Sequence, residues 1–178
     1  MLYVIITLPE FFPGEAEAIV RKFEAGLQRL HLRKPGASEQ ELRELLQAIP
    51  ACYHERIVLH DHFCLLQEFS LCGVHLNSRN PSAPDGWKGH VSISCHSIEE
   101  LQERRKEGFS YLSLSPIFNS ISKKGYNAAF TREELEDARR RGILDSRVLA
   151  LGGVCDSNIG EALELGFGGV MVLGDAWR

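Results

Sequence analysis

The sequence contains no long hydrophobic run. No stretch approaches the roughly 18 apolar residues that a membrane-spanning helix requires, so no membrane partner is expected. The apolar opening "MLYVIITL" is short, lacks a basic region and meets Pro9 and Glu10, so it reads as a first strand and not as a signal peptide. No C-x-x-C pair occurs. The five cysteines, Cys52, Cys64, Cys72, Cys95 and Cys155, are dispersed and odd in number. That argues against a disulfide framework and a zinc cluster and fits a reducing, cytoplasmic location. An excess of positive charge is missing too: 20 Lys and Arg face 24 Asp and Glu, a net charge of −4. General attraction to nucleic acid or to an anionic membrane is therefore not expected. Linkers and low-complexity tracts are absent, so residues 1–178 are expected to form one domain with a sizeable core.

What the chain does have is alternation. Apolar, β-rich runs recur at 2–7, 27–33, 56–60, 73–76, 90–95, 111–116, 147–153 and 168–174. Helical patterns lie between most of them, at 14–25, 38–49, 62–70, 97–107, 131–141 and 156–165. Ser38 with Glu41, Ser97 with Glu100 and Thr131 with Glu134 read as capping boxes, and Gly26, Gly108, Gly142 and Gly166 stop the helices before them. Parallel neighbours need a crossover, so the pattern predicts an α/β protein with a (β/α)8 TIM barrel, and an open doubly wound sheet is the alternative. The fourth connection, "NSRNPSAPDGWKG", is too rich in Pro, Gly and Asn for a full helix. The eighth helix is expected to be missing or truncated, with continuation beyond Arg178 left open.

The faces of the strands carry the functional signal, because residues two apart share a face. Ser92, Ser94 and His96 oppose Val91, Ile93 and Cys95; Ser113 and Ser115 oppose Leu112 and Leu114. His31 and Arg33 oppose Leu30 and Leu32, and His75 opposes Val74 and Leu76. Four strands thus send polar groups to one interior near their C-terminal ends, where barrel enzymes keep their sites. Strand six runs into "SPIFNSISKKG", a cationic, hydroxyl-rich loop suited to an anion; a half-exposed strand and a solvated loop is the bland alternative. Gly153 ends strand seven and Gly174 ends strand eight, where backbone amides form the usual barrel phosphate site. In "LHDHF", a zinc site needs further ligands, whereas Asp61 suits one oxygen ligand of Mg2+ beside a phosphate.

In this order and spacing, "LHLRK", "HD" at 60–61, "GVHL", "SCHS", "SPIFNSISKKG", "ALGGV" and "GVMVLG" resemble the thiamine phosphate synthase and thiazole tautomerase (TenI-like) superfamily, from Leu2 to Gly174. The resemblance implies a barrel enzyme of thiamine biosynthesis. The synthase is a transferase that condenses hydroxymethylpyrimidine diphosphate with a thiazole phosphate and releases pyrophosphate. It implies Arg33 and Lys123 at the diphosphate, Asp61 and Asn80 at the metal, and Mg2+ as the cofactor. Ser94 would lie near the pyrimidine, Ser120 and Ser122 over the thiazole phosphate, and Gly153, Leu173 and Gly174 in its amide cradle. His31 and Lys34 are also expected to bind substrate, although His31 replaces a glutamine and Lys34 is displaced by one position. Asn80 stands where a second metal carboxylate is expected, and a neutral amide holds Mg2+ less well. The synthase stands first, because Arg33, Asp61 and Lys123 are all present for a diphosphate and its metal, while these departures lean toward the alternative, a tautomerase that isomerises a thiazole carboxylate phosphate without metal. There His96 would be the general acid/base, since an imidazole titrates near neutral pH. A third reading is a non-catalytic thiazole phosphate binder. A homo-oligomer is compatible with all three.

Overall fold

The computed structural model describes residues 1–119 and 127–178. Ser120, Ser122 and Lys123 lie outside the described residues. The strands are β1 (Leu2–Ile6), β2 (Arg29–Leu32), β3 (Ile57–Leu59), β4 (Gly73–Leu76), β5 (His90–Cys95), β6 (Tyr111–Leu114), β7 (Val148–Leu151) and β8 (Gly169–Val172). The helices are α1 (Glu15–Glu24), α2 (Glu39–Ala48), α3 (Ile98–Arg104), α4 (Arg132–Arg140) and α5 (Ile159–Glu164). The strands are hydrogen-bonded in chain order in a closed parallel barrel, which discards the open sheet.

The caps explain where the helices begin. Ser38 accepts from the Glu41 N–H while the Glu41 carboxylate accepts from Ser38, and Thr131 and Glu134 do the same. Ser97 accepts from the Glu100 N–H, but the Glu100 carboxylate turns instead to the N–H of His96, 2.8 Å away. The helix expected over 62–70 is only a 3-10 turn, Phe63–Leu66. His62 enters it in the left-handed region and offers no side-chain cap, because its Nε2 donates to the Ala37 carbonyl at 2.8 Å. The fourth connection carries no helix, as its composition predicts, and β8 is followed by a 3-10 turn at Asp175–Trp177. Among the described residues no helix is long and apolar enough to cross a membrane.

Two compact units are distinguishable: Ile5–Val91, and Met1–Val4 with Ser92–Arg178. In the first, His31 pairs in register with Val58 and Leu32 with Leu59, while Val58 pairs with Gly73. Leu30, Leu32, Ile19, Phe23, Leu42 and Leu46 are buried together with these strands. Each such side chain contributes about 1.5–3 kcal/mol of burial. In the second unit, Ser94 pairs in register with Ser113 and Leu112 with Val148. There Ser92 and Ser113 are fully buried beside Leu112, Leu114 and Val148.

Candidate active site

In the unit Ile5–Val91, the face of β2, β3 and β4 opposite the leucines carries three imidazoles. His31 Nδ1 and His60 Nε2 form a hydrogen bond of 2.8 Å, and the His60 and His75 rings stack at 4.4 Å between centroids. His31 meets both rings edge-on. Burial holds all three well below the usual histidine range, His75 at about 3, and lowers the neighbouring His90 to about 4. They are therefore neutral at physiological pH. Their ligand nitrogens lie within 4.8 Å of one another, a spacing that could admit a metal. However, the nitrogens of His31 and His60 already satisfy each other, and Arg33 and Arg79 act on His60 as nearby positive charges. The cluster therefore reads as a neutral polar core. His31, fully buried within it, supports the strand ends and does not present itself to a substrate.

Arg33 follows β2 on the same face as His31 and is half-buried. Its backbone is fixed to Thr7: the Arg33 N–H donates to Thr7 Oγ1 at 2.9 Å, and that hydroxyl donates to the Arg33 carbonyl at 3.1 Å. Among the described residues the Arg33 guanidinium has no hydrogen-bond or ion-pair partner. Lys34, also past the end of β2, turns toward α1. Its three N–H groups go to Glu15 Oε1 at 2.6 Å, Glu15 Oε2 at 2.8 Å and the Glu10 carbonyl at 2.8 Å. The Lys34 ammonium is thereby saturated, and the side chain is 1% exposed. Burial lowers the Lys34 ammonium and raises the Glu15 carboxyl, and each partner opposes the other's shift. The expected substrate contact by Lys34 is corrected to a buried structural ion pair.

Asp61 follows β3. Arg79, from the loop after β4, donates Nε to Asp61 Oδ1 and Nη2 to Oδ2, both at 3.0 Å. Asn80 Nδ2 donates to Asp61 Oδ1 at 2.9 Å and to the His60 carbonyl at 3.0 Å. Two acceptors on one amide nitrogen fix the amide's orientation, so Asn80 turns its NH2 and not its oxygen toward Asp61. These residues do not fit a Mg2+ site. A hard dication takes six or more oxygen ligands. Here one carboxylate accepts three N–H groups, and a guanidinium occupies its open edge.

In the unit of Met1–Val4 and Ser92–Arg178, Ser94 Oγ and Ser113 Oγ share a hydrogen bond of 2.8 Å across β5 and β6. His96 is exposed at the end of β5, with Nδ1 donating to the Ser115 carbonyl at 3.3 Å. The chain after β6 lies on the glycines after β7: Phe118 donates its N–H to the Gly152 carbonyl at 3.0 Å. Gly153 has φ +67, and a Cβ there would meet the Phe118 carbonyl oxygen and stand 2.6 Å from that of Asn119. Glycine is required at this close approach. Asn158 Nδ2 donates to the Gly153 carbonyl at 2.9 Å, which fixes the turn. Among the described residues the N–H groups of Gly153, Leu173 and Gly174 have no acceptor.

The sequence profile described as thiamine monophosphate synthase matches residues 2–175. The chain belongs to the thiamine monophosphate synthase family. Among its relatives, the thiamine-phosphate synthase of Listeria innocua is 26% identical over 186 residues, which cover 97% of this chain and 86% of the relative. That of Shouchella clausii is 25% identical over 178 residues, with coverage of 94% and 84%. A solved thiamine phosphate pyrophosphorylase from Bacteroides thetaiotaomicron is 47% identical with a TM-score of 0.89, covering 99% of this chain and 85% of its own. One from Pyrococcus furiosus, 22% identical with a TM-score of 0.74, shares the fold.

Sequence reasoning missed how two residues of this constellation are placed. Arg79 was overlooked beside Asn80, although a cation in the loop after β4 could have been sought as partner to the acid after β3. His60 was read only as a possible metal donor, although it lies two residues from Val58 and so shares that residue's face.

Proposed function

We propose that the chain is a thiamine phosphate synthase, a transferase that joins hydroxymethylpyrimidine diphosphate to a thiazole phosphate. The C–O bond between the pyrimidine methylene and the diphosphate breaks, and pyrophosphate leaves with the electron pair. The thiazole ring nitrogen then forms the new C–N bond at that methylene. Such a loose departure needs stabilisation of the leaving charge more than it needs a strong base. The observation that carries the reading in the geometry is Arg33. It is a half-buried guanidinium without a described partner, set beside imidazoles that burial keeps neutral. Family membership and the names of the relatives support the same reaction.

In this reading Arg33 holds the diphosphate, and Lys123 adds a second cation. The Ser94 hydroxyl, held by the buried Ser113 hydroxyl at 2.8 Å, orients the pyrimidine. The amides of Gly153, Leu173 and Gly174 hold the thiazole phosphate, with Ser120 and Ser122 beside it, and His96 borders the strand ends as a polar group. The test is to incubate purified chain with pyrimidine diphosphate and thiazole phosphate and to quantify thiamine phosphate and pyrophosphate. Equimolar appearance of both products is expected. Isomerisation of a thiazole carboxylate phosphate without any thiamine phosphate would overturn the reading in favour of the tautomerase. Thiazole phosphate binding without either turnover would favour the non-catalytic binder.

A further inference from the structure

The misfit of Asp61 and Asn80 with a divalent cation points to what replaces it. Arg79 uses only two of its five N–H groups on Asp61, through Nε and Nη2. The three that remain have no partner among the described residues, and the Arg79 side chain is 45% exposed against 12% for Asp61. One edge of the guanidinium is therefore locked to the protein and the other is open. The lock is reinforced from its own loop. Asn77 Oδ1 accepts the backbone N–H of Arg79 at 3.0 Å and that of Asn80 at 3.2 Å, and Asn77 Nδ2 donates to the His60 carbonyl at 2.7 Å. A pre-oriented guanidinium with free N–H groups is suited to the oxygens of a phosphate chain.

The charges support this. Asp61 carries one negative charge, Arg79 and Arg33 one positive charge each, and Asn80 none. The imidazoles of His31, His60 and His75 add nothing, since burial keeps them neutral. The group therefore presents one net positive charge without any metal. A dication beside Asp61 would have to displace the Arg79 fork and would face its charge at contact distance.

We propose that Arg79 takes the place of a divalent cation in this chain, its guanidinium neutralising Asp61 on one edge and binding the diphosphate group on the other, so that diphosphate binding does not depend on Mg2+. This rests on the synthase reading for the identity of the ligand.

The test uses the full chain and inorganic pyrophosphate as probe, titrated calorimetrically in EDTA and in Mg2+. The parent is expected to bind in EDTA, with Mg2+ changing the Kd by less than about threefold. Arg79→Ala is expected to raise the Kd in EDTA at least roughly tenfold, and Arg79→Lys to restore part of the loss, since a point charge replaces a fork. The double variant Arg79→Ala with Asn80→Asp frees Asp61 and adds a carboxylate, and is expected to bind only when Mg2+ is present. Binding by the parent that disappears in EDTA overturns the inference without any variant. So does an Arg79→Ala Kd in EDTA within about twofold of the parent. Thiamine phosphate formation measured alongside separates the two claims. Metal-independent pyrophosphate binding without turnover would sink the synthase reading alone, whereas turnover with Mg2+-dependent binding would sink this inference alone.

Discussion

Lowering the pH from 7.5 to 5 should destabilise this barrel far more than its modest net charge suggests. The cause is the buried imidazoles. Burial places His75 at about 3 and His90 at about 4, and holds His31 and His60 well below the ordinary value of 6.5. Below pH 6.5 the unfolded chain therefore binds protons that the folded chain refuses. Unfolding then takes up protons, so stability falls as pH falls. The loss starts near 6.5 and grows until the folded groups themselves titrate, near 4 for His90 and near 3 for His75. At pH 5 each of these two costs about 2 kcal/mol, roughly 4 kcal/mol together. His31 and His60 act in the same direction. Glu15, whose carboxyl burial raises, opposes them as one group against four. Against a typical stability of about 5–15 kcal/mol, a loss of this size is large. Urea unfolding at pH 7.5, 6.5, 5.5 and 5.0 measures it directly, and His90→Gln should reduce the slope by about one proton. A free energy of unfolding that varies by less than about 1 kcal/mol over this range would refute the reasoning.

Three substitutions test other parts of the account. Lys34→Met leaves the Glu15 carboxylate buried without its partner and should destabilise by about 3–5 kcal/mol in chemical denaturation, whereas adding Glu15→Leu should recover much of that loss. Gly153→Ala puts a Cβ against the Phe118 and Asn119 carbonyls at a positive φ, so it should cost at least about 2 kcal/mol and weaken thiazole phosphate binding. An unchanged melting temperature would contradict the close approach. Arg33→Ala should lower kcat/KM for pyrimidine diphosphate by about 100-fold or more while leaving thiazole phosphate affinity nearly constant in calorimetry. Equal losses on both ligands would count against its role at the diphosphate.

The barrel was legible because each local signal had a local cause. Ser38 and Thr131 start helices through bonds to residues three positions on, which one sequence displays. Gly108, Gly142 and Gly166 end helices by adopting a positive φ that other residues resist. Period-two alternation likewise placed Ser94 and Ser113 on one face. Their 2.8 Å bond adds the register of β5 against β6, which no single strand reveals. Alternation did not reach Lys34. Lys34 stands past the end of β2, where Glu15 of α1 takes it up. The expectation of a substrate contact followed the resemblance, from whose pattern this lysine is displaced by one position, and the ion pair with Glu15, 19 residues away, is visible only in the fold. The Asp61–Arg79 fork was hidden for a different reason. Its partners are 18 residues apart, on loops after two different strands, and only the folded pairing of β3 with β4 brings them together. The histidine stack had the same cause, since a 4.4 Å contact between His60 and His75 depends on adjacent strands in one register.

The most direct measurement of the central claim is a discontinuous assay for thiamine phosphate, with released pyrophosphate counted in the same samples. The account predicts that the purified chain forms both in equal amounts from pyrimidine diphosphate and thiazole phosphate, and that Arg33→Ala nearly abolishes the yield while remaining folded. Absence of thiamine phosphate from a folded, thiazole phosphate-binding chain would contradict it.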